Sequence, residues 1–246
     1  PGNGPVLDHP AAGDHHPVGA RRPAQDECRQ RIAGTRIAQL VEPEQGEVGG
    51  LARRDHTEIR PAEAGGRAEG WLFPATYEIS PQTTAVDLVS EMVQKTKTEL
   101  TQLGVEPRQW KNVIIEASLV EAERGSDADA PKIARVFANR MAQNRPLQLD
   151  TTVNYALNRR KVAVSVKDTT VDSPYNTYRR AGLPVGAICS PGTVAIQGVL
   201  HPAEGPWLYF VAVNPDTGET KFATTEAEFA VIKAELDKWL AAHPGR

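Results

Sequence analysis

Beyond Gly70 the apolar positions fall into blocks with two periods, one helical and one strand-like. Val86, Leu88, Val89, Met92, Val93 and Leu100 recur at helical spacing behind Thr83 and Thr84, either of which can cap the helix. Leu103-Gly104-Val105 ends it. Glu106-Pro107 opens a second helix, in which Trp110, Val113, Ile114, Ala117 and Glu121 share one stripe. A third starts at Ala130-Pro131 and turns Ile133, Val136, Phe137 and Met141 inward, while Arg135, Asn139 and Arg140 read as its wet face. Pro146 to Thr152 is a loop leading into a helix over 151–158, with Asp150 placed to cap it unless that carboxylate has another duty. Val194 to Leu200 suits one more helix. Trp207 to Val213 then reads as a buried strand, Asn214-Pro215-Asp216-Thr217-Gly218 as a turn, and Glu219 to Phe222 as its hairpin partner. A final amphipathic helix, capped by Thr224 or Thr225, carries Phe229, Ile232, Leu236, Trp239 and Leu240 on one face. Ahead of all these, Glu69-Gly70-Trp71-Leu72-Phe73-Pro74 enters as a short strand or extended segment. The sum over residues 67–246 is an α+β fold: a mainly helical domain with a small antiparallel β-sheet.

Residues 1–66 do not continue the pattern. The first 70 residues hold no Phe, Trp, Tyr, Met or Lys, yet they carry four of the six His and are rich in Arg, Pro, Gly and Ala. A segment without large apolar groups cannot offset its ordering entropy, so this one reads as poorly folded. Arginine without lysine is also what GC-rich DNA yields when translated out of frame, which would put entry into the coding frame between Arg60 and Gly66. A modest helix over Arg29 to Val41 has little to pack on. His9, His15 and His16 sit in a Pro/Gly-rich setting without organised partners, so no metal site is expected there.

Whole-chain totals remove further classes. A formal net charge of -3 with a pI near 6.1 gives no sign of a nucleic-acid binder. Cys28 and Cys189 lie far apart and form neither a disulfide framework nor a zinc spacing. No apolar run approaches the ~20 residues of a membrane helix and no signal peptide opens the chain, so as written it reads as soluble. Phosphate loops, nucleophile elbows and internal repeats are absent, and no cofactor is expected.

Candidate chemistry concentrates where the second helix stops, in Ala117-Ser118-Leu119-Val120-Glu121-Ala122-Glu123-Arg124-Gly125. Glu121 and Glu123, one residue apart, point in different directions. A helical wheel puts Glu121 inside the apolar stripe and Glu123 in the last turn. A carboxylic acid held near apolar surface ionises reluctantly, and carboxyls of that kind serve acid catalysis on sugars. Residues 159–192 add a long Pro/Gly-punctuated stretch, and loops of this length serve a site or are disordered. Within it Ser173-Pro174-Tyr175-Asn176-Thr177-Tyr178 supplies the aromatic faces and amide or hydroxyl donors that sugar recognition requires.

Taken in order, these pieces resemble the catalytic region of the YceG-like endolytic murein transglycosylases over about residues 67–243. The matching motifs are Glu69 to Pro74, Ala117 to Glu123, Val136-Phe137-Ala138-Asn139-Arg140, Leu147-Gln148-Leu149-Asp150 and Tyr175 to Tyr178. Gly182-Leu183-Pro184, Ala187-Ile188, His201-Pro202-Ala203 and Leu208 to Ala212 follow. The resemblance implies cleavage of peptidoglycan glycan strands between N-acetylmuramic acid and N-acetylglucosamine, leaving a 1,6-anhydro end. It also implies a cytoplasmic-membrane anchor with the catalytic domain on the outer side, a LysM-like region before it, and coupling to peptidoglycan synthases and division proteins. Neither the anchor nor the LysM-like region is visible in this sequence. It places the catalytic acid at Glu123, used first as acid and then as base, and leaves Glu121 as a supporting carboxylate. Gln148, Asp150, Tyr175, Asn176 and Tyr178 become candidates for holding the sugars, with Asp150 also supporting the acid. The sequence departs from the family at Ala75, where an aspartate is common, after Asp150, where a proline often follows, and at Thr220 and Phe229, where histidines are common. Two alternatives stay open: a hydrolase pairing Glu123 with Asp150 as base or nucleophile, and a non-catalytic wall-binding or divisome scaffold.

Overall fold

The computed structural model of the chain describes residues 67–159 and 164–243. The expectations for residues 1–66, including the helix over 29–41, fall outside the described residues. Among the described residues six α-helices and one hairpin follow in order: α1 (Ala85–Gln102), α2 (Trp110–Glu123), α3 (Ala130–Ala142), α4 (Asp150–Ala156), α5 (Thr193–Leu200), β1 (Tyr209–Asn214), β2 (Glu219–Ala223) and α6 (Glu226–Ala242). The α+β class is as the periodicity predicts. Capping resolves as well: Thr84 and Thr225 each close a full capping box, with Asp87 and Glu228. The Glu106-Pro107 start becomes a single 3₁₀ turn, Pro107–Gln109, before α2 proper begins at Trp110.

Helix α2 is the scaffold. Its Ile114, Ala117, Leu119 and Val120 are fully buried against Ile133, Val136 and Phe137 of α3 and Ala195 and Ile196 of α5. The α3–α5 contact is close because residue 198 has no side chain: a Cβ on Gly198 would sit 2.9 Å from the backbone carbonyl carbon of Ala130. Strand β1 reads as continuously apolar because both its faces are covered. Phe210 enters the main core, while Tyr209, Val211 and Val213 pack with Ile232 and Leu236 of α6. β2 pairs with it antiparallel, Phe210 opposite Phe222, with an irregularity between Ala212 and Asn214. Trp239, expected on the packed face of α6, stacks instead on His243 near the helix end, ring centroids 4.2 Å apart.

One open reading is decided and one expectation changes. Trp71-Leu72-Phe73 joins no sheet, although all three residues are buried. Its backbone is satisfied from elsewhere: Thr96 Oγ1 donates to Trp71 O at 2.7 Å, Leu72 N to Ser190 Oγ at 3.2 Å and Phe73 N to Met92 O at 3.3 Å. The supposed wet face of α3 is likewise a docking face. Arg135 donates to Ala203 O, Asn139 Nδ2 to Gly205 O and Trp207 O (3.0 and 2.9 Å), and Arg140 Nη1 to Leu208 O (2.9 Å). An irregular segment such as 202–208 lacks ladder partners for its carbonyls, and these side chains supply them. Among the described residues no helix is long and apolar enough to cross a membrane.

Gly70 gives a direct stability test. Its φ is +88°, and a Cβ there would lie 2.5 Å from Ala187 Cβ and 2.8 Å from Ile114 Cγ2. Gly70→Ala combines backbone strain with overpacking and is expected to cost about 2–4 kcal/mol. Denaturant unfolding measures it, and a midpoint indistinguishable from the parent chain would refute the close approach.

Candidate active site

Glu123 is the last residue of α2, and Arg124 leaves the helix in an extended conformation (ψ 140°). The chain turns at once into α3 because Asp129 Oδ2 accepts from the N–H groups of Gly125 and Ser126 at 3.3 and 2.9 Å. Both acids are buried, Glu121 at 7 % and Glu123 at 4 % exposure. Their surroundings differ. Glu121 Oε1 accepts from Arg124 Nη2 at 2.8 Å and Oε2 from the N–H of Gly192 at 3.2 Å, which ties the end of α2 to the start of α5. The apolar stripe of the wheel is therefore broken at Glu121 by an ion pair, since Arg124 folds back over it. Glu123 Oε1 accepts from Thr151 Oγ1 at 2.6 Å, across from the first turn of α4. Thr151 was not a sequence candidate; its only signal was a hydroxyl beside the motif acid Asp150.

Asp150 does not cap α4. Leu149 occupies the cap position without a side-chain bond, and Asp150 lies inside the first turn. Its Oδ1 accepts from the Tyr178 hydroxyl at 2.9 Å, and the N–H of Val164 also bonds the buried carboxyl. Burial pushes the Asp150 carboxyl up to about 7, against the opposing bonds from Tyr178 and the Val164 N–H. The phenol of Tyr178 is pushed far above its ordinary range by burial first, then by Asp150 and Glu123, with Arg140 opposing. Tyr178 is thus within electrostatic reach of both carboxyls and of the guanidinium.

Gln148 sits in the left-handed region, φ +56°, and its Oε1 accepts from Arg140 Nη2. Arg140 is 1 % exposed and donates in addition to Pro146 O and Leu208 O, each at 2.9 Å; burial lowers it to about 10. Backbone bonds fix the loop: Gln148 N donates to Thr177 O at 3.0 Å and Leu149 N to Thr177 Oγ1 at 2.9 Å. The structure therefore gathers Glu123, Asp150, Gln148 and Tyr178 around Thr151 and Arg140.

Tyr175 and Asn176 do other work. Asn176 is fully buried, with Nδ2 donating to Thr169 O and Val171 O and Oδ1 accepting from Tyr178 N. Its amide organises the loop that presents Tyr178. Tyr175 packs on Tyr155, ring centroids 4.7 Å apart, and its hydroxyl accepts from Arg67 Nη1 at 2.6 Å. Half-buried Glu116, seven residues before Glu123 and so on the same side of α2 roughly 10 Å away, is pushed up to about 7 by burial alone. Among the described residues no group of three His, Cys, Asp or Glu is placed to hold a metal ion.

The raised Asp150 makes stability depend on pH. Its folded value near 7 lies above the ordinary 3.8, so burial favours the protonated form. That contribution is complete below about pH 4 and is lost as pH rises through about 7. Asp150→Asn keeps an acceptor for Tyr178 and removes the titration. The variant should gain on the parent chain by on the order of 4 kcal/mol between about pH 4 and 8, read by denaturant unfolding across that range. A stability difference that stays constant with pH would contradict the assignment.

Comparison with known proteins gives the family. The YceG-like family model matches residues 23–235. The endolytic murein transglycosylase of Bacillus subtilis (strain 168) is 39 % identical over 165 residues, covering 65 % of this chain and 45 % of that protein. That of Streptococcus pneumoniae (strain ATCC BAA-255 / R6) is 36 % identical over 180 residues, covering 69 % and 32 %. The chain thus spans less than half the length of either relative. The crystal structure of the yceG-like protein lmo1499 from Listeria monocytogenes is similar with a TM-score of 0.60 and 30 % identity, over 82 % of this chain and 64 % of that one. On a match that runs through most of its length, the chain belongs to the YceG-like family.

Proposed function

We propose that this chain is the catalytic region of an endolytic lytic transglycosylase acting on peptidoglycan glycan strands between N-acetylmuramic acid and N-acetylglucosamine. One acid is used twice. Protonated Glu123 gives its proton to the glycosidic oxygen as that C–O bond breaks and an oxocarbenium-like centre develops. The carboxylate left behind then takes the proton of the muramic C6 hydroxyl, whose oxygen bonds to the anomeric carbon and closes the 1,6-anhydro ring. Attack from within the same sugar has an effective molarity on the order of 10⁵ M or more, so no second carboxylate is required to activate water. The site's place would be the outer side of the cytoplasmic membrane, where its polymer lies.

The observation that carries this reading is the partner of Glu123. Thr151 Oγ1 bonds it at 2.6 Å, and a hydroxyl can donate to a carboxylate or accept from a carboxylic acid. The bond therefore persists through both halves of the cycle. The names of the relatives support the same class of chemistry.

Glu123→Gln should lower release of anhydro-ended muropeptides from purified glycan strands by about 10³-fold or more. Mass spectrometry scores the products, since hydrolysis adds a water that ring closure does not. Ordinary reducing ends from the parent chain would overturn the reading in favour of hydrolysis. Thr151→Val removes the hydroxyl at nearly constant volume. It should lower kcat about 10–100-fold with little change in KM; an unaltered kcat would remove Thr151 from the mechanism.

A further inference from the structure

The amide of Gln148 can be oriented by chemistry. A guanidinium has donors and no acceptor, so the atom facing Arg140 Nη2 must be Oε1. The two hydrogens on Nε2 then point elsewhere, and they meet no acceptor among the described residues. Arg140 cannot be turned aside to change this, because it is 1 % exposed and its other donors are held by Pro146 O and Leu208 O. The backbone adds a second constraint. A non-glycine residue at φ +56° is uncommon, and here it is held by bonds from Gln148 N and Leu149 N to Thr177. Leu147, Leu149 and Asp150 on either side are buried, whereas Gln148 remains partly exposed. Its side chain is partly open to a ligand, and with Oε1 turned to Arg140 the group left to meet that ligand is the Nε2 amide donor.

We propose that Gln148 is a specificity-determining donor that binds the carbonyl oxygen of an acetamido group on the sugar, with Arg140 as the positioning residue that turns its amide. A group with two hydrogens to give and no lone pair to offer fits an acceptor-only carbonyl better than a hydroxyl, whose own proton would need a further acceptor. This rests on the reading of the substrate as an N-acetylated glycan strand. Arg140 sets which face of the amide is shown, and the pair thereby selects acetamido sugars over sugars with a hydroxyl at the same carbon.

The test uses the whole chain carrying Glu123→Gln, so that turnover does not interfere, and two neutral probes, tetra-N-acetylchitotetraose and cellotetraose. Calorimetry should show the acetylated probe bound about tenfold more tightly. Adding Gln148→Glu keeps an oxygen for Arg140 but replaces the donor by a second acceptor. The preference should fall to within about twofold while the unfolding midpoint is kept or raised. A preference that survives Gln148→Glu, or its absence with Gln148 intact, overturns the proposal. Anhydro-product release by the chain with Glu123 intact is scored separately. If it fails while the preference collapses as expected, the lytic reading falls and the acetamido contact stands.

Discussion

A helix that ends inside a protein must find partners for its last carbonyls and for any charge it carries there. Helix α2 does so within a few residues, and the surrounding fold is arranged by that necessity. Arg124 N still donates to Val120 O at 2.8 Å, and then its backbone turns extended. Asp129 takes the next two N–H groups and also accepts from Thr220 Oγ1 at 3.2 Å, so one carboxylate fixes the turn and anchors the hairpin to it. The close α3–α5 contact at Gly198 and the bond from Gly192 to Glu121 then bring α5 alongside.

Within that frame the two acids are held by donors of different character. Removing one partner of a buried ion pair costs about 3–5 kcal/mol because the other charge is stranded, so Glu121 and Arg124 are best understood as mutual supports for the helix end. A guanidinium only donates, and the pair has one polarity. Glu123 instead faces the hydroxyls of Thr151 and, at longer range, Tyr178. Neutral partners able to reverse the direction of their hydrogen bond suit the proton cycle proposed for Glu123. The wheel ranks Glu121 as the more deeply set of the two; the structure buries both and separates them by partner.

Local physics made most elements legible. The capping threonines, the helical spacing of α1, α3 and α6 and the turn at Asn214–Gly218 all depend on residues within a few positions of one another. What stayed hidden depends on distant backbone. Arg140 looks like a surface residue until Leu208 O, 68 positions away, is placed against it. Asn176 has the chemistry of a sugar ligand, and only the fold of its loop shows the amide consumed by Thr169 and Val171. Asp150 fits a helix cap by spacing, yet Tyr178, 28 positions on, takes it instead. Irregular segments such as 164–192 have no period to read, and the roles of polar residues that satisfy them follow from three-dimensional placement alone.

Asp150 also bears on how many acids the chemistry can employ. A hydrolytic mechanism needs a second carboxylate that is ionised and in contact with water or with the anomeric carbon. Asp150 is 2 % exposed, is pushed up to about 7 by burial, and has one oxygen given to Tyr178. Ionising it would place charge in a buried setting whose desolvation outweighs the bonds from Tyr178 and the Val164 N–H. Such a group is poorly suited to activate water but well suited to hold Tyr178, which in turn borders Glu123 and Arg140. On the reading proposed above, Asp150 serves to position Tyr178, and the nucleophile is a hydroxyl already carried on the reacting sugar, with no further group needed from the protein.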